Sequence, residues 1–126
     1  VEDLMSIKEK IPFINQDATM KVALKIITLK KLGTLIVRNN MGKTTGIITD
    51  GQIRRIIQKN NDLHNLKVKN VMTKNPIKIN KDTLAIKALS IMNEKRITSL
   101  CVHNSQNKNK TIGIIHIHNI LEVGIG

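Results

Sequence analysis

Residues able to do chemistry gather at two corners of this 126-residue sequence. The first is Gly46-Ile47-Ile48-Thr49-Asp50-Gly51-Gln52-Ile53-Arg54-Arg55, where an apolar pair leads into a hydroxyl, a carboxylate, a glycine and then two arginines. Such a run reads as strand, turn and helix start, with Ile53, Ile56 and Ile57 at helical spacing. Free N–H groups at the helix start, beside Thr49 and with Arg54 and Arg55 in the first turns, could hold an anion. Thr49 or Asp50 could equally do no more than cap the helix, leaving the arginines as solvated surface. The second corner is Gly113-Ile114-Ile115-His116-Ile117-His118-Asn119. On a continuing strand His116 and His118 would face the same way, as metal ligands often do. His103 lies across a loop and no carboxylate is spaced with the pair, so no metal site is expected. His116 reads as a hydrogen-bonding group in a cleft or against a ligand phosphate, and His118 as a residue of the turn into the last helix. No Ser/His/Asp set or glycine-rich phosphate loop is present, and Asp50 and Glu94 are not spaced as an acid/base pair, so no catalytic residue is expected.

The elements that must position these corners occur twice. Ile14-Asn15-Gln16-Asp17 aligns with Ile79-Asn80-Lys81-Asp82, and the match runs without a gap to Leu35-Ile36-Val37 over Leu100-Cys101-Val102, with about nine of two dozen positions identical. Those include Ala23/Ala88, Leu24/Leu89, Ile26/Ile91 and Lys30/Lys95. Gly46-Ile47-Ile48 then falls on Gly113-Ile114-Ile115, and the lead-in Val1-Glu2-Asp3-Leu4-Met5-Ser6 on Val68-Lys69-Asn70-Val71-Met72-Thr73. Each copy predicts a short strand after an early proline (Pro12, Pro76), then a helix. Asp17 and Asp82 stand where an N-cap belongs, ahead of apolar stripes Ala23, Ile26, Ile27 and Ala85, Leu89, Met92. Two strands and a final helix follow. The order β-α-β-β-α, with copies over 1–61 and 62–126, predicts an α/β (α+β) fold. A unit this small is marginal alone, so the two are expected to pack face to face about a pseudo-twofold, with a cleft between them.

Composition narrows the partners. The chain carries 21 Lys and Arg against 9 Asp and Glu, a formal charge of +12. The lysines are scattered, and with one Phe and no Trp or Tyr there is no stacking platform, so a nucleic-acid partner is not expected. The single cysteine, Cys101, sits in an apolar run and reads as a buried small hydrophobe; its solitude suits a reducing cytoplasm. No signal peptide or bilayer-spanning stretch is visible, and no membrane partner is expected. The start at Val1 suggests a piece of a longer protein.

With the duplication, the VMTKNP lead-in (Val71 to Pro76) and the glycine–apolar–apolar–Thr corner, the chain resembles a tandem pair of cystathionine-β-synthase (CBS) domains, a Bateman module. GIITDGQIRRII (Gly46 to Ile57), KRITSLCV (Lys95 to Val102) and GIIHIHNILEVGIG (Gly113 to Gly126) are similar to the C-terminal CBS pair of bacterial arabinose-5-phosphate isomerases. The resemblance implies an upstream sugar-isomerase domain, absent from this chain, that interconverts ribulose 5-phosphate and arabinose 5-phosphate at the entry to Kdo and lipopolysaccharide synthesis. It also implies self-association as dimer or tetramer, no required cofactor, and a regulatory nucleotide or sugar nucleotide such as CMP-Kdo. Ligand contacts would come from Thr49, Asp50, Arg54 and Arg55 at the first corner and from Thr73 and Pro76 in the second lead-in. Arg96, Thr98, Ser99, His116, His118 and Asn119 would serve the second copy. Arg54, Arg55 and Arg96 would pair with phosphate or carboxylate. Gln52 and Asn119 stand where the family places a ribose-binding Asp, and His116 replaces the hydroxyl residue. The alternatives are a ligand-free oligomerisation module, or the CBS pair of another enzyme or a transporter.

Overall fold

The computed structural model describes residues 1–3, 5, 11–30, 33–59 and 63–122. These fall into two compact units, Pro12–Pro76 and Ile77–Gly126 joined by Val1–Ile11.

In the first unit β1 (Phe13–Asn15) leads through α1 (Met20–Lys30) to β2 (Thr34–Arg38), and β3 (Thr44–Thr49) runs into α2 (Asp50–Lys59). A 3-10 turn (Leu63–Asn65), α3 (Val68–Val71) and β4 (Thr73–Lys74) complete it. The sheet order is β1-β2-β3-β4, parallel between β1 and β2 and antiparallel thereafter. A helix must carry the chain back between the parallel strands, and α1 does so. Met20, Ala23 and Ile27 of α1 and Ile53 of α2 close over Leu35, Val37 and Ile48 of the sheet. Burying each large aliphatic side chain contributes about 1.5–3 kcal/mol. The expected stripe of α1 is the face it buries. Ile56 packs at the edge of this core, whereas the side chains of Ile57 and Lys30 lie outside what is described.

The second unit repeats the order with β5 (Lys78–Asn80), α4 (Ala85–Lys95), β6 (Ser99–His103), β7 (Gly113–His116) and α5 (Ile117–Leu121). Its sheet is β5-β6-β7, and Ala88 and Met92 of α4 pack on Leu100, Val102 and Ile115. The β-α-β-β-α order read from the sequence is therefore present in both units, as a mixed α/β fold. Residues 60–62, around the 61/62 boundary between the sequence copies, lie outside the described residues.

One expectation needs correction. Asp17 and Asp82 are not N-caps: α1 begins at Met20 and α4 at Ala85. Their backbone N–H groups instead donate to Asn15 Oδ1 (2.8 Å) and Asn80 Oδ1 (3.0 Å), so each asparagine turns the chain before the helix can start. Asp17 also pairs with Lys69 Nζ at 3.3 Å. His118 does lie in the turn into the last helix, as its sequence position suggested: β7 ends at His116 and His118 already belongs to α5.

The lead-ins pack in an order the repeat does not announce. Met72, from the second lead-in, lies over Gly46 of the first unit, while Met5, from the first lead-in, lies over Gly113 of the second. Val1 and Met5 pack on the second core, and Glu2 donates its N–H to Lys81 O (3.2 Å) and pairs with Lys81 Nζ (3.3 Å). Leu4, Ser6 and Val123 to Gly126, although part of the aligned motifs, lie outside the described residues.

Candidate functional site

At the first corner the structure resolves the choice between cap and nest in favour of a cap. Thr49 is the last residue of β3 and Asp50 the first of α2. Gln52 N–H donates to Thr49 Oγ1 (3.3 Å) and Thr49 N–H donates to Gln52 Oε1 (3.0 Å), a reciprocal capping box. Asp50 N–H donates to Gly33 O at 2.9 Å. Three of the first N–H groups that a bare helix start would offer an anion are thus taken by the protein itself. Gln52 Nε2 continues the network to Thr73 Oγ1 on β4.

The corner therefore joins Thr49 and Thr73 through Gln52, a residue whose importance lies in the T-x-x-Q spacing. Cationic groups complete it. Arg54 and Arg55 are exposed, and Arg55 folds back along α2, so that a Cβ placed on Gly51 would stand 3.5 Å from its Nη1 and 3.9 Å from Thr49 Oγ1. Oxyanion binding here would rest on guanidinium groups rather than on the helix start. Pro76 is buried at the end of the same unit.

The second corner is built alike from different residues. His116 caps α5: its Nδ1 accepts from His118 N–H (3.2 Å), and its own N–H donates to Asn119 Oδ1 (2.9 Å). Nδ1 can accept only in the neutral ring with the proton on Nε2. Burial, reinforced by nearby His118, lowers the His116 pKa and favours that form. The two rings stack with centroids 4.7 Å apart. Thr98 O accepts from Ile117 N–H (2.8 Å), as Gly33 O does from Asp50, so Thr98 closes this corner through its backbone. Ser99 is buried in β6, and Arg96 is exposed as the left-handed C-cap of α4 (φ 56°). Among the described residues no three His, Cys, Asp or Glu side chains gather as a metal site. Cys101 is buried at 1% exposure, and that burial pushes its thiol up to about 11, against smaller opposing effects of Thr111 and Lys78.

Two such sheet-and-helix units with duplicated strand-to-helix corners define a tandem α/β module. The model of the CBS domain matches the chain twice, over residues 1–59 and 68–126, and the chain belongs to the CBS-domain family. Among its relatives, the arabinose 5-phosphate isomerase KdsD of Yersinia pestis is 34% identical over 125 residues, which are 99% of this chain and 37% of that protein. The chain thus corresponds to little more than a third of that relative. Solved structures share the fold. The CBS domain pair of protein MJ0100, in complex with 5′-methylthioadenosine and S-adenosyl-L-methionine, superposes with a TM-score of 0.86 at 21% identity, over 98% of this chain and 93% of that one. CBSX2 in complex with AMP gives 0.80 at 20% identity, over 97% and 92%. No described helix is long and apolar enough to cross a membrane.

Proposed function

We propose that this chain is the regulatory CBS pair of a cytoplasmic arabinose-5-phosphate isomerase, and that it senses an anionic nucleotide or sugar nucleotide at the Thr49 corner. The observation that carries the reading is Arg55 folded back so that its Nη1 and Thr49 Oγ1 both flank Gly51, with Arg54 exposed next to it in sequence, on a corner already pinned through Gln52 to Thr73. A phosphate there would be held by guanidinium groups, the Thr49 hydroxyl being already engaged with Gln52, which suits charge-assisted pairing. The full-chain likeness to KdsD supports an isomerase as parent, and the ligands of MJ0100 and CBSX2 support the nucleotide class. The position that would read a ribose is occupied by Gln52, whose carboxamide is engaged on both sides. That favours recognition through the phosphate and an attached acidic sugar, as in CMP-Kdo, over a bare adenine nucleotide. A ligand alters an attached domain only by binding two of its arrangements unequally.

The test is thermal melting against CMP-Kdo, CMP, AMP, ATP, arabinose 5-phosphate and phosphate. A ligand at about a hundred times its dissociation constant stabilises the folded state by roughly 2.7 kcal/mol. A selective rise with CMP-Kdo that Arg55→Ala abolishes is the expected result. No shift with any compound refutes the sensing role. The second reading, an oligomerisation module, is favoured by exposed Leu84 (71%) and Ile86 (66%) at the start of α4. Sedimentation of the wild type and of Ile86→Lys tests it, since a ligand-free assembly device would lose its oligomer on that change.

A further inference from the structure

The Thr49 corner stands at one end of the first sheet, where Thr34 pairs with Thr49. A second feature occupies the other end, where Arg38 pairs with Thr44. The four residue steps from Thr34 to Arg38 along β2 separate the two places by about 13 Å. There, a cavity of about 330 Å³ is lined by Phe13, Asn15, Arg38, Asn39, Asn40 and Gly42. Its size falls at the lower end of the range for small-molecule sites.

The polar inventory of this cavity is one-sided. Asn15 Oδ1 accepts from Asp17 N–H (2.8 Å), Asn40 Oδ1 accepts from Asn15 Nδ2 (2.6 Å), and Asn39 Oδ1 accepts from the N–H groups of Met41 and Lys43 (3.0 Å each). All three side-chain acceptors are thus engaged within the protein, and no carboxylate lines the space. The strongest groups left to meet a ligand are the five N–H bonds of Arg38, with the unengaged carboxamide N–H bonds beside them. The Arg38 guanidinium carbon lies 4.1 Å from the Phe13 ring centroid, so the ring holds its plane while the N–H edge stays available. The register shift beside it leaves Thr45 as the extra residue on β3, between the partners of Val37 and Arg38, and Arg38 itself stays in parallel register with Asn15.

The second unit provides an internal control. Asn80 repeats the bracket, with its Oδ1 accepting from Asp82 N–H and its Nδ2 donating to Ser105 Oγ (2.9 Å). Asn80 pairs in register with His103, as Asn15 pairs with Arg38. His103 is buried and Lys78, its Nζ donating to Lys108 O (3.3 Å), stands in place of Phe13, so the bracket is kept without the arginine and its ring. Chain turning therefore explains the asparagines but not the Arg38–Phe13 pair.

We infer that this cavity binds a small organic oxyanion, a phosphomonoester or carboxylate of about sugar-phosphate size, with Arg38 as its bidentate anchor. The inference does not rest on the function proposed above. The ¹⁵N-labelled chain is titrated with inorganic phosphate, glycerol 3-phosphate and malonate, against sodium chloride as the ionic-strength control. Saturable shifts of the Gln16 and Asn39–Lys43 amides are expected, with affinity falling about tenfold or more in Arg38→Gln and partly recovered in Arg38→Lys. The relative responses to glycerol 3-phosphate and malonate tell which oxyanion class the cavity takes. Shifts spread evenly over the lysines, shifts unchanged in Arg38→Gln, or no saturable shift at this loop would each overturn the inference. A response confined to Thr49 and Gln52 would overturn it while leaving the Thr49 corner as a ligand site.

Discussion

The two glycines beneath the lead-in methionines offer a paired test of how each unit closes. A Cβ on Gly46 would run into Met72 Sδ, stand 2.8 Å from Met72 Cγ and stand 2.9 Å from the backbone carbonyl of Thr73. That carbonyl is fixed by strand pairing, since Ile47 opposes Thr73 and Gly46 opposes Lys74. On Gly113 the same methyl would strike Met5 Sδ, with Cγ at 2.9 Å and Cε at 3.1 Å, all of them atoms of one flexible side chain. Overpacking costs about 1–3 kcal/mol, and where the obstacle can move the cost sits at the low end. Gly46→Ala should therefore destabilise the chain by about 2–3 kcal/mol and Gly113→Ala by about 1 kcal/mol. For a chain of this length each kcal/mol corresponds to roughly 3–6 °C in Tm. Calorimetry together with urea denaturation of both single variants, and of the doubles with Met72→Ala and Met5→Ala, completes the cycle. Met5→Ala should relieve nearly all of the extra cost of Gly113→Ala, whereas Met72→Ala should relieve only part of that of Gly46→Ala. Equal costs for the two glycines, or full relief in both doubles, would refute the assignment of a rigid wall at Thr73.

Replacing Gln52 with Leu removes the side-chain half of the capping box and the link to Thr73, while keeping the backbone N–H bond to Thr49 Oγ1, and should cost about 1 kcal/mol in urea denaturation; Gln52→Glu, which keeps an acceptor for Thr49 N–H, should cost less. With its pKa raised from 9.0 to about 11, Cys101 should hold about a hundredfold less thiolate than an ordinary cysteine at neutral pH. Its labelling by a disulfide reagent should therefore accelerate only as denaturant opens the second unit. Because the pKa of His116 is lowered by folding, its contribution to stability is present above its unfolded value near 6.5 and is lost as pH falls through the folded value. The wild type should therefore lose more stability than His116→Asn, a non-titrating cap, when melting is repeated at descending pH.

The repeat and its β-α-β-β-α order were legible because they rest on local pattern: glycine before an apolar pair, and helical stripes such as Ala23, Ile26, Ile27 and Ala85, Leu89, Met92, although the fully buried face of the second helix is Ala88 and Met92. The helix starts were misread because an Asx turn and an N-cap use the same residues; only the position of Met20 and Ala85 in space tells Asp17 and Asp82 from caps. The capping box was present in the sequence as Thr49-x-x-Gln52, yet comparison with a ribose-binding aspartate made Gln52 look like a loss rather than a structural gain. Long-range partnership was not legible at all. Alignment shows that Met5 and Met72 are alike, but not that each fills the glycine gap of the other copy's sheet. Arg38 over Phe13 is likewise a tertiary contact with no spacing to announce it.

What the two corners share and where they part separates architecture from ligand chemistry. Thr49/Gln52 and His116/Asn119 make the same reciprocal hydrogen bonds with unrelated side chains, so the cap is the constraint common to both units. One turn further on, the copies diverge in charge. Where the first helix carries Arg54 and Arg55, the second carries Leu121 and Glu122, and all four are exposed. Two guanidinium groups attract an oxyanion, whereas a carboxylate with a half-exposed leucine repels or ignores one. Burial does not account for this difference, because surface positions one turn past a cap tolerate either choice at nearly equal stability. An anionic ligand would therefore discriminate between corners that the backbone makes almost identical. Under the proposed sensing role, coupling would enter through the first unit, where Gln52 ties α2 to Thr73 at the end of the second lead-in.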